Sequence, residues 1–249
     1  MSTSALIRPH LYTRFASAAE RGAWSIDRDI AWHAVDRDRA IAQPDILLAL
    51  RDAARIESFH PVNLARFLRA LWDDVDGCAA VGLEMYEGFK HFHALRLYLE
   101  AIGYEPAITE ADLVGVRDAA AFAHSGEAQV IERLVEFMLS EHLAAHFFRR
   151  LAEQSAEPQL ARLLGVIAAD EVRHAQSASD LIAKRIQADR AIVGRVLDAA
   201  VEFRHFGEEA LGGAVPVAMH GDPRAIQTFA RRIERLCGVR LVDHLKANL

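Results

Sequence analysis

The run Ile167-Ala168-Ala169-Asp170-Glu171-Val172-Arg173-His174 sets a carboxylate and an imidazole three residues apart in a helix-forming stretch. A helix turns about 100° and rises ~1.5 Å per residue, so Glu171 and His174 share one face and can meet at one metal ion. Three Glu-x-x-His pairs occur in the chain: Glu57/His60, Glu171/His174 and Glu202/His205. Composition alone supplies about one such pair by chance, so the surroundings must choose among them. Glu171/His174 lies in a segment from Pro158 to Ile186 whose Leu160, Leu163, Leu164, Ile167, Ala168, Leu181 and Ile182 form an apolar stripe at helical spacing. That stripe draws the pair inward, where an ionised carboxylate is costly unless it is paired or bound to a cation.

The elements that must carry such a site read as all-α. Hydrophobic residues make up 52% and charged residues 26% of the 249, only seven prolines interrupt, and no alternating β-branched runs with hairpin turns are found. One domain is expected: a lead-in over 1–43 packed across one end, a four-helix core over 44–188, and C-terminal helices over 189–249. A net charge of −6 with a pI near 6.1 disfavours nucleic acid as partner. No apolar stretch long enough for a membrane span and no compact secretion core are found, so a cytoplasmic location is expected. Cys78 and Cys237 are too few for a disulfide framework and read as idle thiols.

Proline and glycine place the helix ends. Pro44 suits the first turn of a helix reaching about Asp74, kinked at Pro61, whose missing N–H is the one Glu57 O would accept. A second helix runs from about Gly77 to Ile102 and stops at Gly103. A connection over Tyr104 to Ser125 holds a short helix opened by Thr109, and Ser125 caps a third helix reaching about Gln154. Glu157-Pro158 starts a fourth, ending near Ala188. A fifth is expected from Arg190 to Glu209, and a sixth from Asp222-Pro223 nearly to the C-terminus. The four long helices then carry Glu57; Glu84, Glu87 and His91; Glu141; and Glu171 with His174.

Those residues, in that order, resemble the acyl-carrier-protein desaturase branch of the ferritin-like di-iron proteins. Ala168-Ala169-Asp170-Glu171-Val172-Arg173-His174 is similar to that family's Ala-Ala-Asp-Glu-x-Arg-His. Glu141 in Leu139-Ser140-Glu141-His142 resembles the lone glutamate of the family's third helix, and Glu57, ahead of Pro61, resembles that of its first. His91 with Ala94-Leu95-Arg96-Leu97-Tyr98-Leu99 resembles the segment after the family's first Glu-x-x-His. One position departs: Gly88 stands three before His91, where the family carries a bridging glutamate. Glu84, one turn earlier on the same face, is the favoured replacement, and Glu87 is the alternative if a π-bulge turns it inward.

The resemblance implies a ferritin-like four-helix bundle holding two iron ions, with manganese as an alternative, on Glu57, Glu84 or Glu87, His91, Glu141, Glu171 and His174. Hard carboxylate oxygens with imidazole nitrogens suit iron in an O₂-using site. Four carboxylates facing one interior repel each other unless cations fill the space between them. Asp170 is expected to orient a ligating histidine. The implied activity is that of an O₂-dependent non-haem di-iron oxidase or oxygenase acting on an apolar acyl substrate, free or tethered to a carrier protein. A ferredoxin-like electron donor and a homodimer are also implied. The alternatives are a ferritin-like iron-oxidising or peroxide-scavenging protein, or a bundle whose metal site has decayed. A deep cavity reaching the metals separates the first reading from the second. His60 is expected beside Glu57 at the kink, with contact to metal as its lesser reading; His93, His142 and His146 read as packing or supporting groups, and Glu202/His205 as surface. Phe89, Phe92, Phe137, Phe147 and Phe148 read as core before channel, and Arg149-Arg150 as a solvated helix end.

Overall fold

Helix-favouring residues with apolar positions three and four apart give long rods, and short connections force neighbouring rods to run antiparallel. The computed structural model describes residues 10–115, 130–205, 207 and 222–247. The lead-in forms α1 (Leu11–Gly22), α2 (Ile26–Asp29), a 3₁₀ turn at Trp32–Ala34 and α3 (Arg37–Ile41). Four long rods follow: α4 (Pro44–Ala70), α5 (Val75–Ala101), α6 (Val130–Gln154) and α7 (Pro158–Ala188). A 3₁₀ turn at Arg190–Ile192 leads into α8 (Val193–Val201), and α9 (Pro223–Cys237) and α10 (Leu241–Ala247) close the chain. Among the described residues no strand is present, and no helix is long and apolar enough to cross a membrane.

The rods pack as two antiparallel pairs, α4 on α5 and α6 on α7, which meet across the bundle. Their ends follow local chemistry. Pro44 and Pro158 occupy first-turn positions, where no amide partner is lost. The Glu157 side chain accepts from Leu160 N at 2.6 Å and caps α7. Gly103, at φ 63°, ends the α5 region while Tyr104 N–H donates back to Leu99 O at 2.9 Å. Thr109 opens helical structure over 110–115, and its amide donates to Asp112 Oδ2 at 2.9 Å. The start expected at Ser125 lies outside the described residues.

Two apolar clusters fill the bundle. One gathers Leu50, Phe59, Leu95, Tyr98, Phe148, Leu164 and Ile167. The other gathers Leu64, Phe67, Val81, Leu134, Met138, Leu181 and Ile182 toward the opposite end. Between them along each rod lie Glu57, Glu84, Glu141 and Glu171, all buried. The polar layer is thus held between two dry ones.

Several boundaries differ from the sequence expectation. α4 runs through Pro61 as expected but ends at Ala70 rather than near Asp74. α8 ends at Val201, not at Glu209, with the Glu202 amide bonding Asp198 O to close its last turn. That early stop turns His205 inward, so it is buried and its Nδ1 accepts from Gly207 N–H at 3.0 Å, correcting its surface assignment. The last helix breaks at Gly238, whose φ of 70° suits the left-handed cap, and resumes at Leu241. Residues 30–43 do reach one end of the bundle, where Arg37 donates to Ile102 O and Asp36 N–H to Glu157. α1 instead lies along the flank of α5 and α7, held by Tyr12 N–H to Asp76 at 2.9 Å and by the Arg14–Asp180 pair.

Candidate metal centre

Spacing along each rod brings six of the seven expected ligands into one buried layer. Glu84, two turns before His91, keeps nearly the same azimuth on α5 and faces the same interior. Glu57, His91 and Glu171 offer donor atoms that lie within 4.8 Å of one another, and so do Glu84, Glu141, Glu171 and His174. Glu171 belongs to both groups. Its Oε1 lies 3.1 Å from His91 Nδ1 and its Oε2 2.9 Å from His174 Nδ1. Two donors each about 2.1 Å from one cation and at right angles would sit roughly 3 Å apart, so these spacings suit shared ligation. His174 Nδ1 also touches Glu84 and lies 3.6 Å from Glu141 Oε2, while His91 Nδ1 lies 3.7 Å from Glu57 Oε2.

The outward nitrogens are fixed by acids behind them. His91 Nε2 meets Asp170 Oδ2 at 3.0 Å, and His174 Nε2 meets Glu87 Oε2 at 2.7 Å. With each Nε2 donating its proton outward, the lone pair of each Nδ1 points into the layer once the ring is neutral. Glu87 therefore stands behind His174, outside both donor groups, and α5 is α-helical throughout without the π-bulge that would turn it inward. Arg173 ties the two supporting acids together, at 2.7 Å from both Glu87 and Asp170. Asp170 is fully buried and also accepts from Trp24 Nε1 at 2.8 Å, which anchors the link between α1 and α2 to the site. The indole lies parallel to the His91 ring, and Lys90 Nζ sits 4.3 Å from its centroid.

Burial and mutual charge set the protonation of the layer. Burial pushes the Glu141 carboxyl well above its usual range, with Glu84 and Glu171 adding to the rise, and burial also raises Glu57. Burial would raise Glu171 too, but His91 and His174 on either side hold it well below the carboxylate range. Burial would depress both histidines, yet Glu171 beside His91 and Glu84 beside His174 keep them well above the usual imidazole value. Protons and imidazolium charges thus offset the four carboxylates. Even so, Glu57 Oε2, both oxygens of Glu84 and Glu141, Glu171 Oε1 and His91 Nδ1 are buried without a well-formed hydrogen bond. Such a concentration of unsatisfied donors and acceptors fits divalent cations, whose ligation would satisfy these atoms and displace the protons.

Other expected residues fall elsewhere. His142 and His146 both bond Thr228 of α9, at 2.9 and 3.1 Å, and His93 is exposed. Phe92, Phe147 and Phe148 belong to the core, Phe89 is exposed, and Arg149 is exposed at its helix end. Phe137 lines a cavity of about 480 Å³ between α1, α5, α6 and α7. Leu83, Ala80, Phe15 and Ala18 form its apolar wall, the Arg14–Asp180 pair is also part of its lining, and His174 and Glu87 in that lining adjoin the buried acidic layer. Sequence reasoning missed Trp24 and Arg173 as supports; it set His60 beside Glu57, where His60 is buried 3.5 Å from that carboxylate. The contacts of Trp24 with Asp170, of Arg173 with Glu87 and of His60 with Glu84 join distant segments, which leave no local spacing signal.

No protein-family model matches the chain, and no curated protein matches it in sequence. Among solved structures, DesA2 from Mycobacterium tuberculosis H37Rv, described as an acyl-ACP desaturase, aligns with a TM-score of 0.55 at 22% identity, over 91% of this chain and 93% of that one. The R2-like ligand-binding oxidase from Sulfolobus acidocaldarius aligns with a TM-score of 0.61 at 14% identity, over 97% and 96%. Likeness at these identities is one of fold: the chain is a ferritin-like helical bundle, the architecture in which di-iron carboxylate sites are built.

Proposed function

We propose that the protein is an O₂-dependent di-iron oxidase or oxygenase of the desaturase type, acting on an organic substrate with an apolar, acyl-like body. The observation that carries this reading is the paired donor groups sharing Glu171, with His174 also forming part of a 480 Å³ cavity wall. A bundle that only oxidises or stores iron has no need of such a cavity, whereas a cavity of this size suits a small organic ligand. When bound, two iron ions would supply the electrons that activate O₂. Glu57, His91 and Glu171 would hold one ion, and Glu84, Glu141, His174 and Glu171 the other. Asp170 and Glu87 keep the two imidazoles in the ligating tautomer. Phe15, Leu83 and Phe137 would seat the apolar part of the substrate and exclude water beside His174.

The fold shared with DesA2 supports an acyl group on a carrier protein as the finer choice, with electrons from a ferredoxin-like donor. The test is turnover by iron-loaded protein given O₂, reductant and acyl substrates, with Ala18→Trp narrowing the cavity. Substrate oxidation that falls about tenfold or more in the variant, at unchanged iron content, is expected. Iron oxidation with no organic product from any acyl substrate would favour the iron-handling alternative.

A further inference from the structure

Gly88 marks the point where α5 lacks the carboxylate that its register with His91 would supply. A Cβ built on Gly88 would stand 2.4 Å from His60 Nδ1, 3.0 Å from its Cγ and 3.2 Å from its Cβ. A side chain at 88 and the His60 ring therefore exclude one another. The missing carboxylate has not left a hole, because the imidazole from α4 fills it.

The ring is also aimed. His60 stands outside the two donor groups themselves, but its Nδ1 lies 3.1 Å from Glu84 Oε1 and 3.5 Å from Glu57 Oε2, one carboxylate from each. These are the spacings that His91 Nδ1 keeps to Glu171 and Glu57, and His174 Nδ1 to Glu171 and Glu141, from 2.9 to 3.7 Å. His60 is 2% exposed and lies one turn after Glu57 on the same face of α4. α4 thus presents a Glu-x-x-His pair of its own, matching Glu171/His174 on α7. We propose that His60 is a metal ligand through Nδ1, replacing with an imidazole from α4 the donor that α5 lost at Gly88. The proposal rests on the metal reading above, and it makes the donor set four carboxylates and three imidazoles. Glu84, one turn before Gly88, preserves the number of carboxylates, while His60 adds a neutral nitrogen.

The test counts nitrogen ligands and metal affinity on the full-length chain. In ¹⁵N-histidine-labelled protein loaded with Mn(II) or Fe(II), pulsed electron paramagnetic resonance should show three ligating imidazoles. His60→Gln, which keeps a hydrogen-bond donor toward Glu84 but supplies no imidazole, should leave two and weaken binding of one ion by about ten- to a hundred-fold. Gly88→Glu alone should impair loading because its side chain meets the ring, whereas His60→Ala with Gly88→Glu should recover it. Thermal melts of the metal-free variants identify any that fail to fold, and the imidazole count on the unaltered chain needs no variant. Two imidazoles in the wild-type protein, with unchanged affinity in His60→Gln, would overturn the assignment while leaving the metal centre intact. A wild-type chain that binds no ion would instead overturn the metal reading itself.

Discussion

Glu84 and Glu87 are three residues apart on α5 and both buried, but their oxygens face opposite sides of the His174 ring. Glu84→Ala removes two oxygens from a donor group and is expected to lower bound iron from two ions per chain to one or none. Glu87→Ala removes only the acid behind His174 Nε2, so both ions should bind, with affinity reduced about ten- to a hundred-fold. Anaerobic Fe(II) titration with elemental analysis checks both, and the reverse ranking would show that Glu87 is the ligand. At this scale the spacing of Glu171 and His174 was readable because i and i+3 on a helix coincide whatever surrounds them. Glu84 was readable from its seven-residue separation from His91. His60 beside Glu57 was readable from the same i and i+3 spacing, but its approach to Glu84 and Gly88 was not, because that space is created by α4 lying against α5, and Trp24 reaches Asp170 across 146 residues of sequence.

Individual helices depend on buried polar contacts at their ends. Tyr98 of α5 is fully buried and donates from its hydroxyl to Glu157 Oε2 at 3.1 Å, beside the cap of α7. Tyr98→Phe removes one of the two hydrogen bonds that this oxygen accepts, the Leu160 amide remaining, and is expected to cost about 1.5–3 kcal/mol, measured by urea unfolding. At the other end of the same helix pair, Asp74 meets Lys184 at 3.1 Å and Arg185 at 2.6 Å. Burial would raise its carboxyl, but those two cations outweigh it and hold the group below its usual value. The unfolded chain then takes up the proton first as pH falls through about 4, so this contribution is full above that pH and fades as pH drops through the lower folded value. The Tm gap between wild type and Asp74→Asn should be widest near neutrality and narrow below about pH 4; a gap constant with pH would show that Asp74 is not held by charge. Proline and acid caps made the starts at Pro44 and Pro158 legible. The end of α8 was not, since the turn that buries His205 follows from its packing with Gly207 near Ile56 rather than from a local stop signal.

The molecule as a whole sets an acidic layer between two apolar clusters, an arrangement that is expensive while the carboxylates face only each other and protons. Cations that bind the folded chain and not the unfolded one stabilise it by mass action, about 2.7 kcal/mol at a hundredfold excess over Kd. Iron or manganese should therefore raise the Tm, and a melt insensitive to both would place them outside the layer. The all-α class was evident from composition, and the ferritin-like bundle from the resemblance of the Glu- and His-bearing helices to the desaturase family. The course of α1 was hidden, because its hold on α5 and α7 comes from one buried aromatic, Phe15, and from single polar contacts at Tyr12 and Arg14, and not from a long apolar stripe. The most direct measurement is anomalous diffraction at the iron edge from crystals of iron-loaded protein. Two peaks are expected, one beside Glu57, His91 and Glu171 and one beside Glu84, Glu141, Glu171 and His174. A single peak, or none within reach of Glu171, would contradict the shared centre.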